Sequence, residues 1–222
     1  MENSILLKTI NSSLFRDIPV AEAWQVMDSL SAREKSYRKN ACILHAGESV
    51  HSFGLILEGH VRIENDDVWG NKSILNQLGP GQVFSESYAC VPKARTMVNV
   101  IAAEQTRILF FDTKRLLFDC ADSFPYRSII LRNLLEISAQ KNLHLSRRIF
   151  YTSAKSIRGR LLSYLSDQAA LHGRYEFDIP FNRQQLADFL NVDRSALSGE
   201  LSKMKQDGLI DVEKNHFHLY QI

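Results

Sequence analysis

A strip of short polar side chains near the C-terminus, led by an arginine, has the chemistry of a surface that reads DNA. Arg194 begins a stretch of helix-forming residues that Gly208 can end. The other outward positions on this helix are Ser195, Ser198, Gly199 and Ser202. Side chains this short let a helix backbone approach base edges in the major groove, and an arginine can bond to O6 and N7 of one guanine.

Basic side chains around this strip can hold the phosphates beside those bases. Lys203 lies on the same predicted helix, and Arg183 lies at the start of the preceding one. Lysine, serine and helix N-termini all bind phosphate, so these residues complete the predicted DNA-binding set. A solvated helix on a small helical bundle is the alternative interpretation.

Two short helices joined by a tight turn must position this strip. Asn182 and Gln185 can form a capping box that opens the first helix, and Asp193 can cap the second. Asn191 tolerates the left-handed backbone of a tight turn. The expected inner faces are Leu186, Ala187 and Leu190 on the first helix and Ala196, Leu197, Leu201 and Met204 on the second. The pattern predicts a helix–turn–helix.

The charge of the chain requires any electrostatic attraction to DNA to be local. The 222 residues include 27 Lys and Arg against 25 Asp and Glu, a net charge of +2. From residue 151 onward, nine basic side chains are balanced by nine acidic ones, whereas residues 124–150 contain five basic and one acidic. We expect modest non-specific affinity, which a dimer increases by presenting its basic surface twice.

Closely spaced glycines between residues 47 and 81 divide the first half of the chain into short β-rich segments. Strands are predicted at Ala41–His45, Leu55–Leu57, Val61–Glu64, Ser73–Gln77, Asn99–Ala102 and Arg107–Phe111. Gly59 should supply the positive φ of a tight hairpin. Short antiparallel strands of this kind predict a small barrel or jelly roll, with an irregular α+β domain as the alternative.

A long helix is predicted from Phe124 to Phe150, about 40 Å if unbroken. One of its faces carries Ile130, Leu134 and Ile137. A second stripe comprises Leu131, Leu135, Ser138, Asn142, Leu145 and Ile149. Two apolar faces indicate two packing partners, which we interpret as the β module and a second copy of the chain. Polar residues within such a seam can fix its register. An ordinary buried helix is the alternative.

Essentially the whole chain resembles the CRP/FNR family of bacterial transcription regulators. The resemblance rests on DRSALSGELSKMKQDGLI in the second helix and on FGLILEGHVRI and LGPGQVFSES in the β module. It implies an α+β fold with an N-terminal antiparallel β jelly-roll barrel, a long dimerisation helix and a C-terminal winged helix–turn–helix, in domains 1–122, 123–151 and 152–222. The implied function is a homodimer that binds near-palindromic promoter DNA under a signal sensed in the barrel, with RNA polymerase as a further partner.

Several positions match functional positions of that family. Arg194, Ser195 and Ser198 match positions that face bases in relatives, whereas Gly199 stands where many relatives have arginine. The matches to effector-binding positions are Ser85, Glu86, Ser87, Arg95 and Thr96 in the barrel and Ser146 on the long helix. The resemblance implies a small-molecule effector, with cyclic AMP as one candidate. Ser85 replaces the family's glycine, so the cassette departs from the cyclic-nucleotide pattern.

The remaining residues argue against other classes of protein. Cys42, Cys90 and Cys120 are widely spaced, which disfavours a disulfide framework and zinc or iron–sulfur sites. The apolar runs are too short to cross a bilayer and the first residues lack an export signal, so we expect a cytoplasmic protein with no membrane partner. The sequence shows no nucleophile–base pair, phosphate loop or paired-carboxylate motif, and we predict no enzyme activity.

Two alternatives concern the β module. A cupin metal enzyme needs paired histidines, whereas His45, His51 and His60 are isolated. A haem- or redox-sensing regulator of the same family stays open, because Cys90 lies beside the effector cassette and His144 lies on the long helix. A scaffolding protein that uses the barrel alone would leave the recognition helix without a role.

Overall fold

The chain divides into two units, Met1–Gln140 and Lys141–Ile222. Residues 2–66, 72–118 and 125–220 are described by a computed structural model. The predicted start of the long helix at Phe124, the domain boundary at 122–123, Cys120 and Ile222 lie outside the described residues. The domain boundaries therefore stay a prediction. Among the described residues, no helix is both long enough and apolar enough to span a membrane.

Two antiparallel four-stranded sheets form the body of the first unit. Its strands are β1 (Arg33–Tyr37), β2 (Cys42–Leu44), β3 (Ser52–Glu58), β4 (Val61–Asp66), β5 (Lys72–Leu78), β6 (Val83–Phe84), β7 (Asn99–Ala102) and β8 (Thr106–Asp112). One sheet has the order β1-β8-β3-β6, and the other has the order β2-β7-β4-β5. Gly59 makes the hairpin between β3 and β4 with φ 75°, as the sequence predicts. A Cβ atom there would meet the Gln105 carbonyl oxygen at 2.4 Å, so only glycine fits.

Helices cover one face of the first sheet. They are α1 (Glu2–Ile10), α2 (Ala23–Ser29), α3 (Glu86–Cys90), α4 (Thr113–Leu117) and the start of α5 (Arg127–Thr152). Phe53, Leu55 and Leu57 of β3 pack against these helices in one core cluster, which also contains Ile130 and Leu134 of α5. Two of the three residues on the first predicted face of the long helix are thus buried, and the third, Ile137, is partly buried against the same cluster.

A smaller core lies between the two sheets. Its buried members are Ile56, Val61, Leu78, Phe84, Val100 and Ile108. Because β3 contributes to both cores, five consecutive residues of it are buried. This continuous burial explains why the sequence around β3 is apolar without the alternation of a half-exposed strand.

The second unit surrounds one apolar core with three helices and a small sheet. After α5 come α6 (Ile157–His172), β9 (Glu176–Asp178), α7 (Arg183–Leu190), α8 (Arg194–Gln206), β10 (Ile210–Glu213) and β11 (His216–Leu219). The strands form an antiparallel sheet in the order β10-β11-β9 beside the helix–turn–helix. This arrangement of antiparallel sheets, long helix and winged helix–turn–helix confirms the predicted α+β class.

Candidate functional site

Local hydrogen bonds fix both helices of the helix–turn–helix and the turn between them. The Asn182 side chain accepts from the Gln185 backbone N–H, and the Gln185 side chain accepts from the Asn182 N–H, both at 2.9 Å. Asn191 ends α7 in the left-handed conformation, with φ 54° and ψ 56°. The Asp193 carboxylate then accepts from two backbone N–H groups in the first turn of α8. The predicted capping box, turn and second cap are all formed.

Two arginines that the sequence analysis missed hold the end of α7. The Arg160 guanidinium on α6 donates to the carbonyl groups of Leu190 at 3.1 Å and Asn191 at 2.8 Å. Arg148, near the end of α5, donates to two further carbonyl groups of the last turn of α7, both at 3.1 Å. Carbonyl groups at a helix end have no partner within the helix. These two arginines therefore position the turn that precedes α8.

The outward face of α8 presents most of the predicted DNA-binding side chains to solvent. Arg194, Ser195, Gly199, Ser202 and Lys203 are exposed, and Ser198 is half-buried. Neither the Arg194 guanidinium nor the Lys203 ammonium has an ion-pair partner in the described part of the chain. On the opposite face, Leu197, Leu201 and Met204 are buried in the core. Ala196 is exposed, so its predicted place on the inner face is wrong: it lies about 100° around the helix from Leu197.

Two of the three serine hydroxyls on this face, those of Ser195 and Ser202, each donate one hydrogen bond within the protein. Ser195 donates to the Asp193 carboxylate at 2.5 Å, and Ser202 donates to the Ser198 carbonyl at 3.0 Å. The Ser195 hydroxyl, followed by backbone N–H groups of α8, holds the pKa of Asp193 below its ordinary value. The oxygen lone pairs of both serines stay available, and these can accept from the amino groups of adenine or cytosine.

Other basic side chains near α8 are engaged within the protein. Lys205 pairs with Asp211 at 2.5 Å. The Arg183 guanidinium lies 5.5 Å from the centre of the Phe217 ring, and burial lowers its pKa. Arg183 still lines a concave surface whose cavity has a volume of about 690 Å³, and Arg194 lines the same cavity. On α8 itself, the basic groups without an ion-pair partner in the described residues are therefore Arg194 and Lys203, and Lys214 adds a further lysine to the concave surface.

The first half of the predicted effector cassette forms a strained turn into α3. Ser85 has φ 64°, a conformation that glycine adopts without steric cost and serine rarely adopts. Glu86, the first residue of α3, is only 4% exposed, whereas Ser87 is exposed. The chain therefore keeps a glycine-type turn at Ser85 although the glycine of the resemblance is absent.

The second half of the cassette is bonded to the loop before β3. The Arg95 guanidinium donates to the Gly47 carbonyl at 2.8 Å, and the buried Thr96 hydroxyl donates to the His45 carbonyl at 2.5 Å. An arginine has five N–H donors, so exposed Arg95 keeps most of its capacity to bind an anion. Thr96 has used its single donor.

The predicted seam of α5 is largely exposed on the protomer. Leu135, Leu145 and Ile149 are 70%, 57% and 68% exposed. Along the same stripe Asn142 and neighbouring Ser146 are exposed, while Leu131 and Ser138 are half-buried. Apolar side chains repeated at this spacing along one helix face are typical of a coiled-coil seam.

The cysteines and histidines do not form a metal site in the described residues. No group of three His, Cys, Asp or Glu side chains there could hold a metal ion. Cys42 and Cys90 are half-buried and form no disulfide within the described residues. Burial, followed by the charge of Glu86, raises the pKa of the Cys90 thiol. His144 packs beside the Phe189 ring, with centroids 6.0 Å apart.

Two family models match the chain, one in each unit. The model for the cyclic nucleotide-binding domain matches residues 34–120. The model for the Crp-like helix-turn-helix domain matches residues 159–221. These matches contain the effector cassette and the helix–turn–helix described above. No curated protein sequence matches the chain.

Solved structures of regulators share the fold over most of its length. The catabolite activator protein of Thermus thermophilus is 19% identical with a TM-score of 0.52, and the match covers 94% of each chain. CprK complexed with OCPA is 17% identical with a TM-score of 0.63, over 89% of each chain. The c-di-GMP-responsive global regulator CLP of Xanthomonas campestris is 18% identical with a TM-score of 0.55, over 90% of this chain and all of that one.

Proposed function

We propose a function on the premise that this chain belongs to the CRP/FNR family of regulators. In this proposal the chain acts as a homodimer on near-palindromic promoter DNA, and a signal sensed in its first unit controls its binding. The chain is a transcription regulator with a cyclic-nucleotide-binding-type domain and a DNA-binding helix–turn–helix, and it is not an enzyme. We propose the cytoplasm as its place of action and RNA polymerase as its partner at the promoter.

The observation that carries the proposal is the surface of α8. Arg194 is exposed at the first turn of a capped helix, without an ion-pair partner in the described residues, and short side chains follow it. In the major groove its guanidinium would bind guanine, while Ser195, Ser198 and Gly199 allow the backbone to approach. Lys203, Ser202 and Arg183 would contact phosphates.

The proposed functions fall to three domains. Residues 1–122 would sense the signal, residues 123–151 would form the dimer, and residues 152–222 would bind DNA.

The proposed dimer seam is the exposed stripe of α5. Leucine and isoleucine side chains exposed to this extent favour burial against a second apolar surface. A second copy of the same helix supplies the matching spacing, with Ser138 and Asn142 fixing the register. Two helix–turn–helix surfaces related by a two-fold axis would then read two half-sites of a near-palindrome.

The proposed signal is a small molecule that binds near Glu86 and Arg95. The guanidinium can bind a phosphate or carboxylate, and the buried carboxylate can accept from hydroxyl groups. The solved structures of this fold include a c-di-GMP-responsive regulator and one complexed with OCPA, so the fold accommodates more than one class of ligand. A thiolate redox switch is the weaker candidate, because the raised pKa of Cys90 keeps its thiol protonated.

Selection from a random duplex library by the full-length protein tests the proposal. We expect a two-fold-symmetric motif that contains a guanine in each half-site. Arg194→Ala should lower affinity for that motif by about 1–3 kcal/mol and relax the preference at the guanine position. Binding to the selected duplex and to a scrambled duplex is measured by fluorescence anisotropy. Equal losses on both duplexes would refute base reading, and no enrichment of any duplex would refute the regulator mechanism.

A further inference from the structure

A cavity of about 380 Å³ lies in the first unit at the opposite end of α3 from Glu86. Ala89 and Cys90, the last two residues of α3, line it, and the other walls come from residues 91–94, residues 49–51 and α4 with Phe118. Of the described residues that line it, none belongs to the effector cassette. Its volume lies within the range of small-molecule sites. The cavity is therefore lined by residues other than those of the effector cassette on which the proposed function rests.

One of the residues that line the cavity, Thr113, has a buried side-chain hydroxyl without a hydrogen-bond partner in the described part of the chain. Thr113, the first residue of α4, is 2% exposed, and its Oγ1 forms no hydrogen bond among the described residues. Its backbone N–H donates to the His51 carbonyl at 3.1 Å, so only the side chain is unsatisfied. A buried hydroxyl without a partner lowers stability, and a ligand oxygen that reached it would recover that free energy.

The charges and apolar groups around this hydroxyl define what could reach it. Lys93 and Lys114 line the same cavity, and neither ammonium has an ion-pair partner in the described ranges. No Asp or Glu is among the described lining residues. Val50, Leu117 and Phe118 supply apolar walls, and Phe118 is exposed. The cavity thus combines two positive charges, one unpaired hydroxyl and an apolar surface.

We propose that this cavity binds a small monocarboxylate with an apolar body, of the size of a medium-chain fatty acid. The carboxylate accepts hydrogen bonds from Lys93, Lys114 and the Thr113 hydroxyl, and the apolar body packs against Val50 and Phe118. Such a ligand contacts α3 and α4 together. Because α3 begins at Glu86, occupancy of this cavity is linked to the effector cassette through one short helix.

Isothermal titration of the full-length protein with octanoate tests this proposal, with octanol as the uncharged control. We expect octanoate to bind more tightly than octanol. Thr113→Val should weaken octanoate binding by about tenfold while leaving the melting temperature of the free protein unchanged or higher, since it removes an unpaired buried hydroxyl. Thr113→Ser, which keeps the hydroxyl, should retain binding. Lys93→Gln and Lys114→Gln should each weaken binding, whereas Lys39→Gln, an exposed lysine elsewhere in the first unit, should not.

Alkylation of Cys90 gives an independent readout. Octanoate should slow modification of Cys90 by iodoacetamide in the intact protein, as measured by peptide mass spectrometry, and leave the rate at Cys42 unchanged. Absence of octanoate binding would overturn the proposal. So would an octanoate affinity in the Thr113→Val and Lys93→Gln variants that equals that of the wild type. Arg95→Ala separates the two sites: octanoate affinity that falls with Arg95→Ala and not with Thr113→Val would assign the ligand to the cassette instead.

Discussion

Asp193 connects the folding of the recognition surface to its chemistry. Its carboxylate caps α8 and accepts from the Ser195 hydroxyl, so the side chain that starts the helix also orients one of the proposed base-contacting serines. A negative charge at a helix N-terminus is stabilising. The same charge lies next to Arg194 and opposes the approach of phosphate. Asp193 therefore stabilises the start of α8 and at the same time lowers the non-specific affinity of this surface for nucleic acid.

Asp193→Asn should make the second unit less sensitive to acid. Hydrogen bonds lower the folded pKa of Asp193 below its ordinary value of 3.8, so the stabilisation is complete above that value and is lost as the pH falls through the lower folded pKa. Asparagine caps a helix nearly as well and does not titrate. Thermal unfolding followed by circular dichroism between about pH 7 and pH 3 should show the wild type losing its advantage over the variant. A constant difference in melting temperature would contradict this role.

The residues that fix the turn differ in how far sequence predicts them. Asn182, Gln185, Asn191 and Asp193 act on backbone within four residues of themselves, and such local bonds leave a spacing that can be recognised. Arg160 acts on carbonyl groups about 30 residues away, at a distance that only the folded chain sets. Its sequence neighbourhood is that of any arginine on an amphipathic helix.

At the scale of elements, α5 carries two faces with different roles. Ile130 and Leu134 belong to the core of the first unit, so they contribute to folding of the protomer. Leu135 is 70% exposed and contributes little to that core. The proposed dimer can therefore be disrupted without unfolding the chain, provided that the substitution is made on the exposed stripe.

Leu135→Glu should shift the protein from dimer to monomer in sedimentation velocity. A charge on the seam cannot be buried without a partner, whereas on the free protomer it is solvated. Gln140→Glu introduces the same charge at an exposed position about 140° around the helix and should leave the dimer intact. Circular dichroism should show folded protein in both variants. A dimer that persists in Leu135→Glu would place the interface on another surface.

The sequence predicts the strands whose own residues are apolar. It misses the strands that form only because a neighbouring strand pairs with them. The six predicted strands overlap β2, β3, β4, β5, β7 and β8. By contrast, β1 consists of Arg-Glu-Lys-Ser-Tyr, four of whose residues are exposed, and it exists through its register with β8. The two-residue β6 is too short to show a period. The sequence of β1 is polar and that of β6 is short, so neither shows a strand pattern apart from the strand that it pairs with.

At the scale of the whole molecule, near-neutral charge limits the attraction to DNA. The net charge is +2, and ion pairs engage several basic side chains around the helix–turn–helix. Arg158 pairs with Glu200 at 2.5 Å and with Asp207 at 2.7 Å, and Lys205 pairs with Asp211. Each protomer then offers Arg194 and Lys203 as basic groups on α8 without an ion-pair partner in the described residues. Affinity must depend on a small number of phosphate contacts and on base reading.

The salt dependence of DNA binding should therefore be shallow for a dimeric regulator. The proposed basic phosphate contacts are Lys203 and Arg183 of each protomer. Roughly four counterions would then be released per dimer, and the slope of log K against log salt concentration should be about −4. Lys203→Gln should make that slope less steep by about 2, one contact from each protomer, and should weaken cognate and scrambled duplexes alike. Lys205→Gln is the matched control, because the partner of Lys205 is Asp211 and not phosphate, and it should leave the slope unchanged. Fluorescence anisotropy over a series of salt concentrations measures the slope for the wild type, Lys203→Gln and Lys205→Gln. A wild-type slope of about −8 or steeper would mean that DNA contacts basic side chains beyond Arg183 and Lys203. A slope unaffected by Lys203→Gln would remove that lysine from the interface.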